Sequence, residues 1–465
     1  MTEIFAQARH EFNLDSIMWG LTVDGELAST GTIGSHDNID TRYRIASMTK
    51  SFTAAAVLGL RDEGRLALDV PVLEYAPELS GVVNPNHGPP LTLRHLLSMS
   101  SGLATDDPWA DRHLDASPAE MDVHYGRDFE FACATGTNFE YSNLGFALIG
   151  RVVERVTGRR VRDHVTERFL EPLSMTATTW DPPSAHLWAP PTRVEDGRII
   201  ADGLAPIGDG EIAPMGGLWS TVADLARWSM WLDAANYFSN DFSNDRPNDS
   251  GPDQYDSNTS LLSVASRREM QTIQTYAGNV ALDGVKAPFG YGFGLTLRDD
   301  PDLGMVVSHS GGLPGYGSNM RWLPGRRIGV VAVSNTTYAP MALCTQRVLL
   351  MLHSAGLIAP SRIPVSALLK HRAQELTALL NDWSDDGAHL ILADNVELDE
   401  SFERRRDAAQ RLLQACGTIE INSIEARSRT EGTINVRGPS GQATIEIMLA
   451  PIFGAPIQWY ETKIA

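Results

Sequence analysis

The chain has 465 residues, 43% of them apolar, and a formal charge of −20 from 58 acidic and 38 basic side chains. That length holds a sizeable core and exceeds the needs of one ordinary domain, so one large domain with a smaller appendage is expected. The acidic balance repels nucleic acid and anionic membrane surfaces, and no basic cluster offsets it, so neither is an expected partner.

Three scattered cysteines, Cys133, Cys344 and Cys416, contain no Cys-x-x-Cys pair, which argues against a disulfide framework and against a thiolate zinc site. The twelve histidines lack ligand-like spacing, so no metal and no cofactor is expected. Met1 to His10 lacks the basic-then-apolar order of a secretory signal, and no run of about 18 apolar residues is present to cross a membrane. A cytoplasmic, soluble protein is the expectation.

In chain order, residues 3–12 read as a short helix. Ile17 to Thr22 and Glu26 to Thr32 read as strands joined by a tight Asp24-Gly25 turn. From Ser47 the apolar spacing turns helical through Phe52, Ala55, Ala56 and Leu60, with Gly64 as a stop. Leu91 to Met99 is a second apolar helix, and Leu144 to Val156 a third, closed by Gly158. The middle of the chain, to about Tyr291, reads as helices and long loops. Asn236 to Ser260, dense in Asn, Asp and Ser, reads as a mobile surface loop. Leu303 to Ser308, Ser318 to Leu323 and Ile328 to Ser334 are predicted strands, the last two joined by Pro324-Gly325. A helix follows from about Met341 to His353. Strands at both ends with helices between predict one antiparallel sheet drawn from both ends, with a helical insert.

Residues 357–364 read as a linker. Beyond it, 365–465 is predicted as a small α+β domain of helix, strand, helix and several strands, an order similar to nuclear-transport-factor-2-like folds. Its helices are Leu368 to Trp383 and Glu403 to Ala415. Its later strands are Thr418 to Ile424, Thr433 to Val436, Ala443 to Leu449 and Ile457 to Glu461.

Three short motifs carry chemistry. Ser47 and Lys50 lie three apart, which puts them on one helix face. A serine hydroxyl needs a neighbouring base, and a lysine one turn on serves if burial lowers its pKa. With 34 serines and four lysines in the chain, chance alone supplies about 0.3 such pairs, so a capping serine beside a surface lysine is the plain alternative. Lysine is scarce here, however, and arginine, which cannot deprotonate, would serve a solvated face equally well. Tyr141 and Asn143 flank Ser142 before the third helix. The phenol can pass a proton to a leaving group and the amide can orient a substrate and hold Lys50, although a core tyrosine with an N-cap asparagine also fits. His309-Ser310-Gly311-Gly312 ends a predicted strand. Its glycines let a substrate backbone approach and free an N–H for an oxyanion, while an incidental histidine in a turn is the alternative.

Together these motifs, in this order, resemble the serine β-lactamase and penicillin-binding-protein superfamily, in particular the class C β-lactamases and their esterase and D-aminopeptidase relatives. Tyr43 to Ser47, Leu91 to Gly102, Tyr141 to Gly150, Gly216 to Ala226 and His309 to Asn335 are similar to family segments. The resemblance covers roughly residues 3–355, and implies a catalytic domain over 1–356 with an antiparallel sheet flanked by helices, an α/β (α+β) fold. It implies Ser47 as acylated nucleophile, with Lys50 and Tyr141 sharing acid–base work in an order left open. Asn143, His309 and Gly311 would bind substrate, and the N–H groups of Ser47 and Gly312 would form the oxyanion hole.

His309 stands where true β-lactamases and D,D-peptidases commonly carry lysine. A histidine near its ordinary pKa is mostly neutral at pH 7, which points away from penicillin-like carboxylates. The expected substrates are esters and D-amino-acid amides or short peptides, with poor turnover of a cephalosporin. An acyltransferase, a true β-lactamase and a catalytically silent binding protein are the alternatives. The C-terminal domain carries no assignable constellation. Packing, narrowing of the cleft and homo-oligomer formation are the roles open to it.

Overall fold

The computed structural model describes residues 1–84, 88–127, 129–184, 187–203, 208–236, 261–358 and 365–464. They form two compact units, the larger ending at Ile358 and the smaller beginning at Val365.

The larger unit is built on an eight-stranded antiparallel sheet. Its strands are β1 (Ser16–Val23), β2 (Glu26–Gly34), β3 (Thr275–Leu282), β4 (Val285–Tyr291), β5 (Thr296–Asp300), β6 (Gly304–Leu313), β7 (Tyr316–Leu323) and β8 (Ile328–Ser334). Their order across the sheet is β2-β1-β8-β7-β6-β5-β4-β3. The sheet is therefore drawn from both ends of the unit, as the sequence predicts, with β1 antiparallel to β8 in the register Ile17↔Ser334 to Val23↔Ile328. The β1–β2 turn sits where expected, with both Asp24 (φ 53°) and Gly25 (φ 84°) left-handed, as the tight hairpin turn requires.

The central strands are buried along their whole length because both faces are covered. Ile17, Trp19, Val330 and Ala332 join the core beneath helices α1 (Thr2–Glu11) and α5 (Met341–Ser354). Met18, Met320, Trp322, Val331 and Val333 face the larger core, which holds helices α2 (Thr49–Asp62), α3 (Asn143–Thr157) and α4 (Val222–Asp233). The alternation of a half-exposed strand is lost, and each side chain still goes to one of two cores.

Several expectations are corrected. The stretch before Tyr291 holds β3 and β4, a hairpin where the sequence predicts helices and long loops. The predicted helix over Leu91 to Met99 is only Leu93–Leu97, because Thr92 caps it by accepting from the His95 N–H. Ser47 does not open the α-helix itself. It lies in a 3-10 turn, Ala46–Met48, that feeds α2. Of the expected loop Asn236 to Ser260, everything beyond Asn236 lies outside the described residues, as does the linker from residue 359 to 364.

The smaller unit has helices α6 (Ala367–Asn381) and α7 (Phe402–Cys416) and a four-stranded antiparallel sheet of β9 (Glu420–Ala426), β10 (Glu431–Arg437), β11 (Gln442–Leu449) and β12 (Ile457–Ile464). Its core joins Leu376, Leu380 and Leu412 of the helices to Ile434, Ile445 and Ile447 of the sheet. Between α6 and α7 stand two short helices, Asp385–Ile391 and Asp394–Asp399, where a strand was expected. The sequence there is acidic and starts at Ser384, whose hydroxyl accepts from the Gly387 N–H, so helix initiation wins.

Candidate active site

The turn bearing Ser47 is held against the end of β6. Ala46 has φ 48°, a left-handed conformation that a non-glycine residue adopts at a cost of about 1–2 kcal/mol. The Ser318 hydroxyl donates to the Ile45 carbonyl at 2.9 Å. Gly311 makes this approach possible, since a Cβ there would lie 2.1 Å from the Ile45 carbonyl oxygen. Ser47 is thereby left half-buried at the wall of a cavity of about 570 Å³.

Lys50, one turn on, is fully buried. Its Nζ donates to Ser47 Oγ at 2.9 Å, Asn143 Oδ1 at 2.7 Å and the Met215 carbonyl at 3.0 Å. An ammonium has three protons, and these three acceptors use them all. Burial lowers its pKa to about 7, against the pull of the Asp107, Asp106 and Asp111 carboxylates. The neutral amine is thus well populated at pH 7. Two of its three neighbours, an amide oxygen and a peptide carbonyl, can only accept. Its two remaining protons go to them, and its lone pair is left facing Ser47 Oγ.

Asn143 is the first residue of α3, whose N-cap is Ser142, accepting from the Gly145 N–H at 3.1 Å. Its Nδ2 donates to Asp107 Oδ1 at 2.6 Å, which fixes the amide so that Oδ1 meets Lys50. Asp106 takes the backbone N–H groups of Asn143 and Leu144, both at 2.7 Å, where the helix dipole favours a carboxylate. Asp111 accepts from the Tyr338 hydroxyl at 2.7 Å, and burial pushes its pKa up to about 6. None of these acidic residues was singled out in the sequence. Asp106 serves a helix 37 residues away, and no local spacing signals that.

Tyr141 also lines the cavity, with Lys50 Nζ 4.9 Å from its ring centroid. Burial drives its pKa far upward, and a hydrogen bond with Ser47 offsets this only in part. Its phenol stays protonated at neutral pH.

His309, on β6, is buried. Its Nδ1 lies 2.6 Å from the Ser310 carbonyl, which can only accept, so Nδ1 carries the proton. Nε2 then accepts from the Tyr291 hydroxyl at 2.9 Å. Burial, and next the Lys50 charge, lower its pKa to about 3. The imidazole is neutral throughout the physiological range. Tyr291 is not marked by any local motif; the glycines on both sides, Gly290 and Gly292, are places of close packing, where a Cβ would lie 2.6 Å from the Ile273 side chain and 2.1 Å from the Met270 carbonyl oxygen.

The sequence-predicted residues therefore converge. Ser47, Lys50, Asn143 and Tyr141 form one hydrogen-bonded and packed group. Ser47, Tyr141, His309 and Gly312 share the cavity wall, and Gly311 packs behind it. Pairing of β6 with β5 stops at Ser308↔Thr296, so the edge of His309 to Gly312 opens onto the cavity. The Ser308 carbonyl points to the β5 side, where it accepts from the Thr296 hydroxyl at 2.7 Å. By strand alternation the backbone of Gly312, four residues on, points the same way.

Several known proteins are similar to this chain. Protein flp of Staphylococcus aureus is 34% identical over 141 residues, which is 30% of this chain and 28% of that protein. The D-alanyl-D-alanine-carboxypeptidase/endopeptidase AmpH of Escherichia coli is 29% identical over 194 residues, 41% of this chain and 48% of AmpH. The chain thus matches less than half the length of these relatives. Among solved structures, the octameric penicillin-binding protein homologue from Pyrococcus abyssi superposes with TM-score 0.61 at 19% identity, covering 99% of both chains. A D-stereospecific amidohydrolase from Streptomyces sp. gives 0.57 at 23% identity, covering 76% of this chain and 98% of the other. Residues 1–355 match the Beta-lactamase family, and the chain belongs to that family, whose fold is the β-lactamase/transpeptidase-like one.

Proposed function

We propose that this chain is a serine hydrolase working through an acyl-enzyme on Ser47. The observation that carries the reading is the Lys50 amine, whose two obligate acceptors leave its lone pair to Ser47 Oγ. Lys50 takes the serine proton as Oγ attacks a carbonyl carbon. The oxyanion is received by the N–H groups of Ser47 and Gly312. Tyr141, protonated at neutral pH, passes a proton to the leaving group and recovers one from Lys50. Water then repeats the attack and releases the acid.

The substrate reading is a carboxylic ester or a D-amino-acid amide or peptide. Neutral His309 supports it, because the third motif places no cation against a penicillin-type carboxylate. The similarity to AmpH, a D-alanyl-D-alanine-carboxypeptidase/endopeptidase, and to a D-stereospecific amidohydrolase supports the same reading.

A fluorophosphonate probe read by intact mass tests the nucleophile. One adduct is expected in the native protein and none in Ser47→Ala. A parallel assay of a p-nitrophenyl ester, a D-alanine anilide and a cephalosporin tests the substrate reading. Failure of Ser47 to label in the folded protein overturns the proposal, and efficient cephalosporin turnover lost in Ser47→Ala replaces it with a β-lactamase.

A further inference from the structure

The cavity beside Ser47 does not end at the catalytic group. It continues past the end of β5 to Thr296, Ser308, Arg298 and Arg321, and to Ala342 of α5. Cross-strand pairing puts Ser308 opposite both Thr296 and Arg321, so these three share a face of the sheet. This end of the cavity has an unusual charge state for so acidic a chain.

Both guanidinium groups are buried, Arg321 at 3% and Arg298 at 4% exposure. Arg298 is held by the Val280 and Val285 carbonyls at 2.6 and 2.8 Å, and its Nε lies 3.4 Å from Asp300 Oδ2. Among the described residues Arg321 makes one hydrogen bond, Nη1 to Gln346 Oε1 at 2.6 Å, and Gln346 in turn donates to Asp300 Oδ2 at 2.8 Å. One carboxylate is thus shared by two cations, through an amide in the case of Arg321. The Arg321 Nε is buried and has no hydrogen-bond partner among the described residues. Burial and the Arg298 charge pull the Arg321 pKa down to about 10. A buried guanidinium with only an indirect share of one carboxylate is costly, and a planar bidentate anion is the partner its geometry fits.

We infer that Arg321, seconded by Arg298, receives a carboxylate carried by the substrate in addition to its scissile carbonyl. The inference rests on the hydrolase reading and names the substrate class more closely. It also gives a role to an anion that neutral His309 does not attract. The Thr296 proton goes to the Ser308 carbonyl, so the Ser308 hydroxyl donates to Thr296 Oγ1 at 2.9 Å and orders this wall of the cavity.

The test uses two matched pairs of esters. In one pair the acyl part carries the charge: the p-nitrophenyl monoester of glutaric acid against its methyl ester. In the other the leaving group carries it: 3-carboxyphenyl butyrate against its methyl ester. In at least one pair the acid is expected to have a kcat/KM about tenfold higher, as befits a charge-assisted hydrogen bond. That ratio is expected to fall to about one in Arg321→Met. Equal rates within both pairs, or a preference that survives in Arg321→Met, overturn the inference. If Arg321→Met does not fold, competitive inhibition of the native enzyme decides: glutarate is expected to inhibit about tenfold more tightly than glutaramide, and equal inhibition overturns it. Hydrolysis of the neutral esters together with labelling of Ser47 reports on the hydrolase reading separately, so the two failures are distinguishable.

Discussion

Replacing Lys50 with methionine separates stability from chemistry in a way that only a buried, titrating amine predicts. The folded protein holds Lys50 at about 7, whereas the ordinary value is 10.5. Between those values the unfolded chain carries a proton that the folded chain does not. Stability therefore rises with pH through that window, and the full penalty of burying the cation is felt below pH 7. Integrated from pH 7 to pH 9, this one group contributes about 2 kcal/mol. Lys50→Met removes the titration but leaves Asn143 Oδ1 and the Met215 carbonyl without their donor, a cost that does not depend on pH. Urea unfolding of both proteins at matched pH values gives the difference, in which titrations remote from Lys50 cancel, while Asp106, Asp111 and His309 feel its charge. Native stability is expected to gain about 2 kcal/mol on the variant between pH 7 and pH 9, while the variant loses about 10²–10⁴-fold in kcat. A difference that stays flat with pH would refute the argument that Lys50 is neutralised by burial.

Three further outcomes follow from the same geometry. The acid limb of kcat/KM for a neutral ester should fall tenfold per pH unit below about 7, with no limb from His309, whose pKa is about 3; a stopped pH series checks this, and a flat profile down to pH 5 contradicts it. Tyr141→Phe should slow an alkyl ester or amide by about 10²-fold or more but leave a p-nitrophenyl ester, whose leaving group needs no proton, nearly untouched; equal losses on both substrates would remove Tyr141 from proton transfer. Gly311→Ala drives a methyl group to 2.1 Å from the Ile45 carbonyl, which should lower stability by about 1–3 kcal/mol and displace Ser47; thermal melting and probe labelling together measure it, and unchanged values in both would contradict the packing.

How far the sequence could be read depended on whether the cause was local. The Ser47, Tyr141 and His309 motifs were legible because each is a short run of residues whose spacing on one element suffices. The core strand β8 was legible because burial on both faces makes Ile328 to Val333 almost continuously apolar, and β7, which carries Ser318, Asn319 and Arg321, was legible through the Pro324-Gly325 turn that joins it to β8. The β3–β4 hairpin was not. It interrupts itself with Gly278, Pro288 and Gly290, and its side chains are largely exposed, so neither apolar run nor clean alternation marks it. The acidic group around Lys50 was illegible for another reason. Asp106 and Asp107 act on Asn143, more than thirty residues away, and read locally as the start of a short helix. Arg298 and Arg321 lie on neighbouring parts of the sheet only after β5, β6 and β7 have paired.

The register Ile17↔Ser334 has a meaning for the time course of biosynthesis. Ser47 is made early and His309 late, and the sheet that aligns them closes only when β8 has emerged to pair with β1. Contacts of such long sequence separation form slowly. The N-terminal hairpin must wait, with one edge unpaired, for most of the unit to be synthesised. A nascent chain stalled before residue 328 therefore holds a serine and a lysine but no assembled centre, and its open strand edge is the surface on which a chaperone, or an aggregate, would act first.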